Sequence, residues 1–156
     1  MKYKSLSVIF PYLPKYDIDF ILALKKSEPN LEINIYADLS SNDLFREEES
    51  IKNINAHDTT IYKIGPFWFM PGLFNLLKNK RDNIIVFNAN PRDLSQLILM
   101  IIFKIMNHNI VAWGMFHRIG GSKLHSSIYY KLVGNICNRV FVYGEFGKLN
   151  LLKLGI

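Results

Sequence analysis

Val111-Ala-Trp-Gly-Met-Phe-His-Arg-Ile-Gly-Gly-Ser122 is the stretch that decides the fold. A short apolar run stops at Trp113-Gly114, and His117-Arg118 and a double glycine follow. This is the pattern of a buried parallel strand running out into a functional loop. In open α/β sheets, ligands bind just beyond the carboxyl ends of the strands. His117 and Arg118 at such an edge can meet a polar or anionic ligand; equally, they can be solvated loop residues. Gly120 and Gly121 permit close backbone approach or a tight turn.

Outward from this stretch, strand-like and helix-like segments alternate. Leu6–Phe10 is rich in strand formers and stops at Pro11. Asp17 can cap a helix to about Lys26, with Ile18, Ile21, Leu22 and Lys25 on one face. Leu31–Tyr36 alternates with period two and predicts a strand. Residues 38–57 are polar and acidic, including Glu47-Glu-Glu49, and read as a long connection before a third strand at Thr59–Ile64. An aromatic stretch from Gly65 leads into a helix ending near Asn79, and Asn83–Phe87 is a fourth strand. Asn90-Pro91 predicts a helix start, asparagine as cap and proline at the first helical position. That helix is apolar almost all round to about Met106, so burial on more than one side is expected. Asn109–Trp113 is a fifth strand, Ser126–Asn138 a helix, Arg139–Tyr143 a sixth strand and Glu145–Leu154 a last helix. Such alternation implies an α/β fold: a Rossmann-like, open, mostly parallel sheet with helices on both faces.

Composition bounds the function. The chain has 156 residues, one domain's length, and 49% are apolar or aromatic, enough for a real core. Cys137 is the single cysteine, so no intramolecular disulfide can form. A net charge of +6 points to an anionic partner. The bases are scattered along the sequence, and no helix-turn-helix or ribonucleoprotein signature is present, which argues against nucleic acid. There is no signal-peptide pattern, and the longest apolar run, Leu97–Phe103, is far too short to span a bilayer. Neither G-x-G-x-x-G after the first strand nor a P-loop occurs. No H-E-x-x-H or cysteine pair supports a zinc site, so no metal is expected.

Three segments together resemble the N-terminal domain of bacterial family 4 glycosyltransferases of the GT-B fold. Pro11-Tyr-Leu-Pro-Lys-Tyr16 is similar to a "PYLPxYR" opening, with Asp17 where the family has arginine. Trp113-Gly114 and its loop resemble a "WGHG" region, with the histidine displaced to His117. Arg139–Gly144 and the helix ending Leu-Gly-Ile156 resemble the stretch before the inter-domain linker. The resemblance spans essentially all 156 residues in order. It implies a single half of a GT-B fold, whose donor-binding domain, with its E-x7-E motif, would be missing from the chain or separately encoded. The implied activity is transfer of a sugar from a nucleotide-sugar donor to a glycan or lipid-linked acceptor, in surface polysaccharide biosynthesis. The nucleotide sugar is then a co-substrate, and no cofactor is expected. The implied setting is the cytoplasm, at or near the inner face of its membrane. The competing reading is a non-catalytic α/β interaction subunit of a split or truncated transferase; a flavodoxin-like binding protein is weaker, since no phosphate loop is visible.

His117 is then the candidate catalytic group, able to move an acceptor proton near neutral pH. Arg118 can fork onto phosphate or carboxylate. Tyr12, Tyr16, Asn88, Gly120 and Gly121 complete the candidate acceptor site; for Tyr12 and Tyr16 the competing role is to fix the loop between two prolines. Phe67-Trp68-Phe69, with Lys78, Lys80 and Arg81 behind them, has the apolar-wedge and basic-rim pattern of a membrane contact; core packing is the alternative.

Overall fold

Apolar residues at alternate strand positions, with helix-period segments between them, build a layered sheet. The computed structural model describes residues 3–13, 15–39, 54–78, 82–117 and 124–156. Along the chain these form β1 (Ser5–Ile9), α1 (Lys15–Ser27), β2 (Glu32–Ala37), β3 (Asn55–Asp58), β4 (Tyr62–Ile64) and β5 (Phe67–Phe69). A 3₁₀ helix (Pro71–Lys78), β6 (Asn83–Asn88), α2 (Leu94–Ile105), β7 (Asn109–Gly114), α3 (Leu124–Ile136), β8 (Arg139–Val142) and α4 (Glu145–Lys153) follow.

Six strands pair in the order β3-β2-β1-β6-β7-β8, and every pair is parallel. Leu6 lies beside Ile33, Val8 beside Val86, and Val86 beside Val111. Counted along the chain this is the order 3-2-1-4-5-6 of a Rossmann-type sheet, and its winding reverses between β1 and β6. The sheet is buried from both sides. Val8, Phe10, Ile33, Ile35 and Ala37 meet Ile18 and Ile21 of α1. Ile9, Ile85, Phe87, Ile110 and Ala112 meet the 3₁₀ helix, α2 and α3 on the other side. There the Asn83 amide donates to Ser7 Oγ at 2.9 Å, tying β6 to β1.

Three expectations need correction. The third strand of the sheet is Asn55–Asp58, not Thr59–Ile64. β3 is an edge strand with four exposed residues, so it shows no apolar alternation. It is held by polar contacts instead: the Asn55 amide donates to Asn34 and Glu32, and the His57 ring stacks on Tyr36 with centroids 4.4 Å apart. Tyr62–Ile64 forms an antiparallel hairpin with β5 through Gly65, whose φ of +58° suits a residue without Cβ. The cap of α2 is Asp93, not Asn90, because Asp93 Oδ1 accepts the Gln96 N–H at 3.0 Å. Finally, α1 begins at Lys15, so Asp17 stands inside its first turn rather than at its cap. The segment before β6 is a 3₁₀ helix.

Candidate functional site

The reversal between β1 and β6 puts two loops side by side at the carboxyl edge. After β1 come Pro11, Tyr12 and Leu13; after β6 come Asn90, Pro91, Arg92 and Asp93. Asn90 folds the second loop through its side chain: Oδ1 accepts the Arg92 N–H at 3.0 Å while its carbonyl accepts the Asp93 N–H. This is an Asx-type turn, the use to which short polar side chains are put outside helices. It delivers Asp93 to the start of α2, where Oδ2 also accepts the Gln96 side-chain amide at 2.7 Å.

The β4–β5 hairpin bridges these loops. The Trp68 N–H donates to the Arg92 carbonyl at 2.7 Å, and the Trp68 ring meets Tyr12 edge-on at 6.3 Å. Phe69 packs on Phe74 with centroids 5.9 Å apart. Trp68 and Phe69 are therefore half-buried, whereas Phe67 and Lys78 are exposed.

The loop after β7 is held from below by α4. Phe116 is fully buried in a left-handed backbone conformation (φ +50°), uncommon for a side chain of that size. Its ring rests on Tyr130, 5.4 Å away. Its carbonyl accepts the Asn150 amide of α4 at 2.6 Å. Gly147 of α4 lies so close to the Met115 carbonyl that a Cβ there would overlap the oxygen. The same carbonyl accepts a hydrogen bond from His117 Nδ1 at 2.9 Å. The neutral ring therefore carries its proton on Nδ1 and presents Nε2 as an acceptor.

His117 faces a cleft of about 710 Å³. Its apolar wall is Phe67, Leu94, Leu97 and Ile128, with Tyr129 behind it; its polar groups come from Asn90, Arg92, His117 and His125. Tyr129 is buried, and its hydroxyl has no hydrogen-bond partner among the described residues. Burial, with the Asp93 charge second, raises the Tyr129 pKa above the usual phenol range, so the group stays protonated and able to donate. The hydroxyl lies behind the cleft wall rather than on it, a buried polar group that costs stability without a partner. The arrangement offers acceptors, donors and an apolar wall, which suits a hydroxyl-rich or anionic ligand with an apolar part.

Of the residues singled out in the sequence, His117 and Phe67 line this cleft. Tyr12 is half exposed and in contact with Trp68, as a loop-fixing aromatic would be. Asn88 ends β6 beside Trp113 and is not in the cleft wall. Arg118, Gly120, Gly121, Lys80 and Arg81 lie outside the described residues, as does the side chain of Tyr16. Arg92, His125 and Tyr129 were not anticipated as site residues. Among the described residues no group of three or more histidine, cysteine or acidic side chains is placed to hold a metal. No helix among them is long and apolar enough to cross a membrane. No protein-family model matches the chain, and no curated protein matches it.

Proposed function

We propose that this chain is the acceptor-side half of a glycosyltransferase, handing a sugar from a nucleotide-sugar donor to a glycan or lipid-linked acceptor in surface polysaccharide assembly at the cytoplasmic face. The observation that carries the reading is a Rossmann-type sheet with His117, its Nδ1 tied to the Met115 carbonyl, in the wall of a cleft at the carboxyl edge. In such a transfer the acceptor oxygen bonds to the anomeric carbon as the bond to the nucleoside diphosphate breaks, and the acceptor must lose a proton. In this reading His117 Nε2 receives it, Asn90 orients the acceptor hydroxyls, and Arg92 pairs with any anionic group. Charge on the departing diphosphate needs donors aimed at it; on this reading they belong to a separate donor-binding domain.

The test is a protein-detected NMR titration of the chain with glycan and lipid-linked acceptors, then with nucleotide sugars. Acceptors should shift the amides of Phe67, Arg92 and His117, and His117→Ala with Arg92→Gln should remove that response. Nucleotide sugars should leave these amides alone. Tight nucleotide-sugar binding in this cleft would overturn the division of labour.

A second reading, a non-catalytic interaction subunit, is favoured by the exposed ridge Phe146, Leu149 and Leu152 on α4. It predicts no acceptor response at all.

A further inference from the structure

A helix packed on a sheet normally turns polar residues to water. α2 does not. It buries Ser95, Gln96, Leu99, Met100 and Phe103, and the opposite side is a ridge of Ile98, Ile101 and Ile105, the last 77% exposed. α3 repeats the arrangement. Ser126, Tyr129, Tyr130 and Val133 face inward, while Leu124 (78% exposed), Ile128 and Leu132 face outward. The two helices pack side by side on one face of the sheet, and the hairpin lies against α2, adding exposed Tyr62, Ile64 and Phe67. Three neighbouring elements thus leave apolar side chains outward.

Charge on this layer has one sign. The hairpin, α2 and α3 contain no Asp or Glu, and no acidic residue occurs anywhere from Leu94 to Gly144. They carry Lys63, Lys104 and Lys131, all exposed, and none is ion-paired among the described residues. Across the sequence, residues 59–156 hold twelve Lys and Arg against three Asp and Glu, whereas residues 1–58 hold seven against ten. The +6 charge is therefore uneven along the sequence, with its excess in the half that contains the hairpin, α2 and α3.

We infer that the outer face formed by α2, α3 and the β4–β5 hairpin docks the protein on an anionic lipid bilayer. Isoleucine and leucine ridges enter the acyl boundary while Lys63, Lys104 and Lys131 sit among headgroup phosphates, the pairing that interfacial helices use. Charge complementarity selects this occupant, since the face is basic and without acids. The inference does not rest on sugar transfer. It also puts the mouth of the cleft, where Phe67, Leu97 and Ile128 are shared with this face, at the bilayer surface.

The experiment is co-sedimentation of the whole chain with phosphatidylcholine vesicles, with and without phosphatidylglycerol, at low and high salt. Pelleting should require phosphatidylglycerol and weaken with salt. Lys104→Gln with Lys131→Gln should weaken it about twenty-five-fold, at about fivefold per charge lost. Ile105→Ser with Ile128→Ser should abolish it. Both pairs are exposed, so thermal unfolding should match the parent, and Lys26→Glu on α1 should pellet as the parent does. Absence of pelleting, equal pelleting on neutral vesicles, or indifference to the lysine pair would overturn the inference. So would self-association that the isoleucine pair removes without any vesicle binding, which would identify a second copy as the occupant.

Discussion

Gly147→Ala tests whether α4 truly sets the loop that carries His117, because two effects compete and the sign tells which wins. Gly147 is the third residue of α4. On an unobstructed helix, replacing glycine by alanine stabilises by about 0.5–1 kcal/mol through a smaller loss of backbone freedom. Here the new methyl would overlap the Met115 carbonyl oxygen and stand 3.3 Å from Val142 Cβ. The oxygen belongs to backbone and cannot swing aside as a side chain tip could. It is held between β7 and buried Phe116, whose own carbonyl is bonded to Asn150. Overpacking of this kind costs about 1–3 kcal/mol. The net expectation is a loss of about 1–2 kcal/mol, a fall in Tm of about 2–8 °C for a chain of this length. Urea denaturation should show a lower midpoint with an unchanged slope. Imidazole nitrogen shifts should show His117 losing its preference for the Nδ1–H form, since the Met115 carbonyl is its partner. A stabilised variant with unchanged His117 shifts would refute the placement of α4 against this loop.

Asp17 makes a pH prediction. It is buried in the first turn of α1, and burial pushes its carboxyl up to about 6 from an ordinary 3.8. The folded state therefore binds the proton more readily than the unfolded chain, so stability should rise as pH falls from 7 towards 4. Asp17→Asn should flatten this profile and stabilise the protein at pH 7 by on the order of 2 kcal/mol; a profile that keeps its slope in the variant would sink the assignment. At the start of α2, Asp93→Ala removes a helix cap and strands the Gln96 amide, a loss of about 2 kcal/mol by urea denaturation. Asp93→Asn should cost less than about 1 kcal/mol, because Gln96 Oε1, unpartnered among the described residues, can turn to accept from the new amide. Equal losses in the two variants would show that the cap is not what Asp93 supplies.

What could be read from sequence follows burial. β1, β2, β6 and β7 lie inside the sheet, and their apolar residues announce them. β3 lies at the edge and is written in Asn, Ala, His and Asp, so its pairing with β2 leaves no hydrophobic trace. Asn90-Pro91 carries the local chemistry of a helix start, yet the turn it makes ends at a second capping residue, Asp93, whose partner Gln96 lies one turn into the helix. Only the three-dimensional arrangement separates two such signals three residues apart. His117 was legible because it follows a strand end. Arg92, His125 and Tyr129 were not, because they come from a turn and a helix that meet His117 only when α2 and α3 pack together. The aromatic stretch shows the same dependence: Trp68 is half-buried because Tyr12 and Arg92 reach it from distant parts of the chain.

The left-handed turn at Phe116 shows how the loop is paid for and what that implies. A non-glycine residue held in this conformation costs on the order of 1–3 kcal/mol. Burying a phenyl ring returns about 3–5 kcal/mol, judged by what Phe→Ala truncation costs in a core. Glycine would relieve the backbone but forfeit the ring against Tyr130, so the strained residue is the more stable choice. The strain holds only while Asn150 and Gly147 keep α4 under the loop. The direction of His117 is therefore set by a helix about thirty residues downstream, not by its neighbours in sequence. α4 presents Phe146 both to solvent and to the His117 ring, 6.0 Å away. Whatever packs on that exposed face acts directly on the residue that faces the cleft.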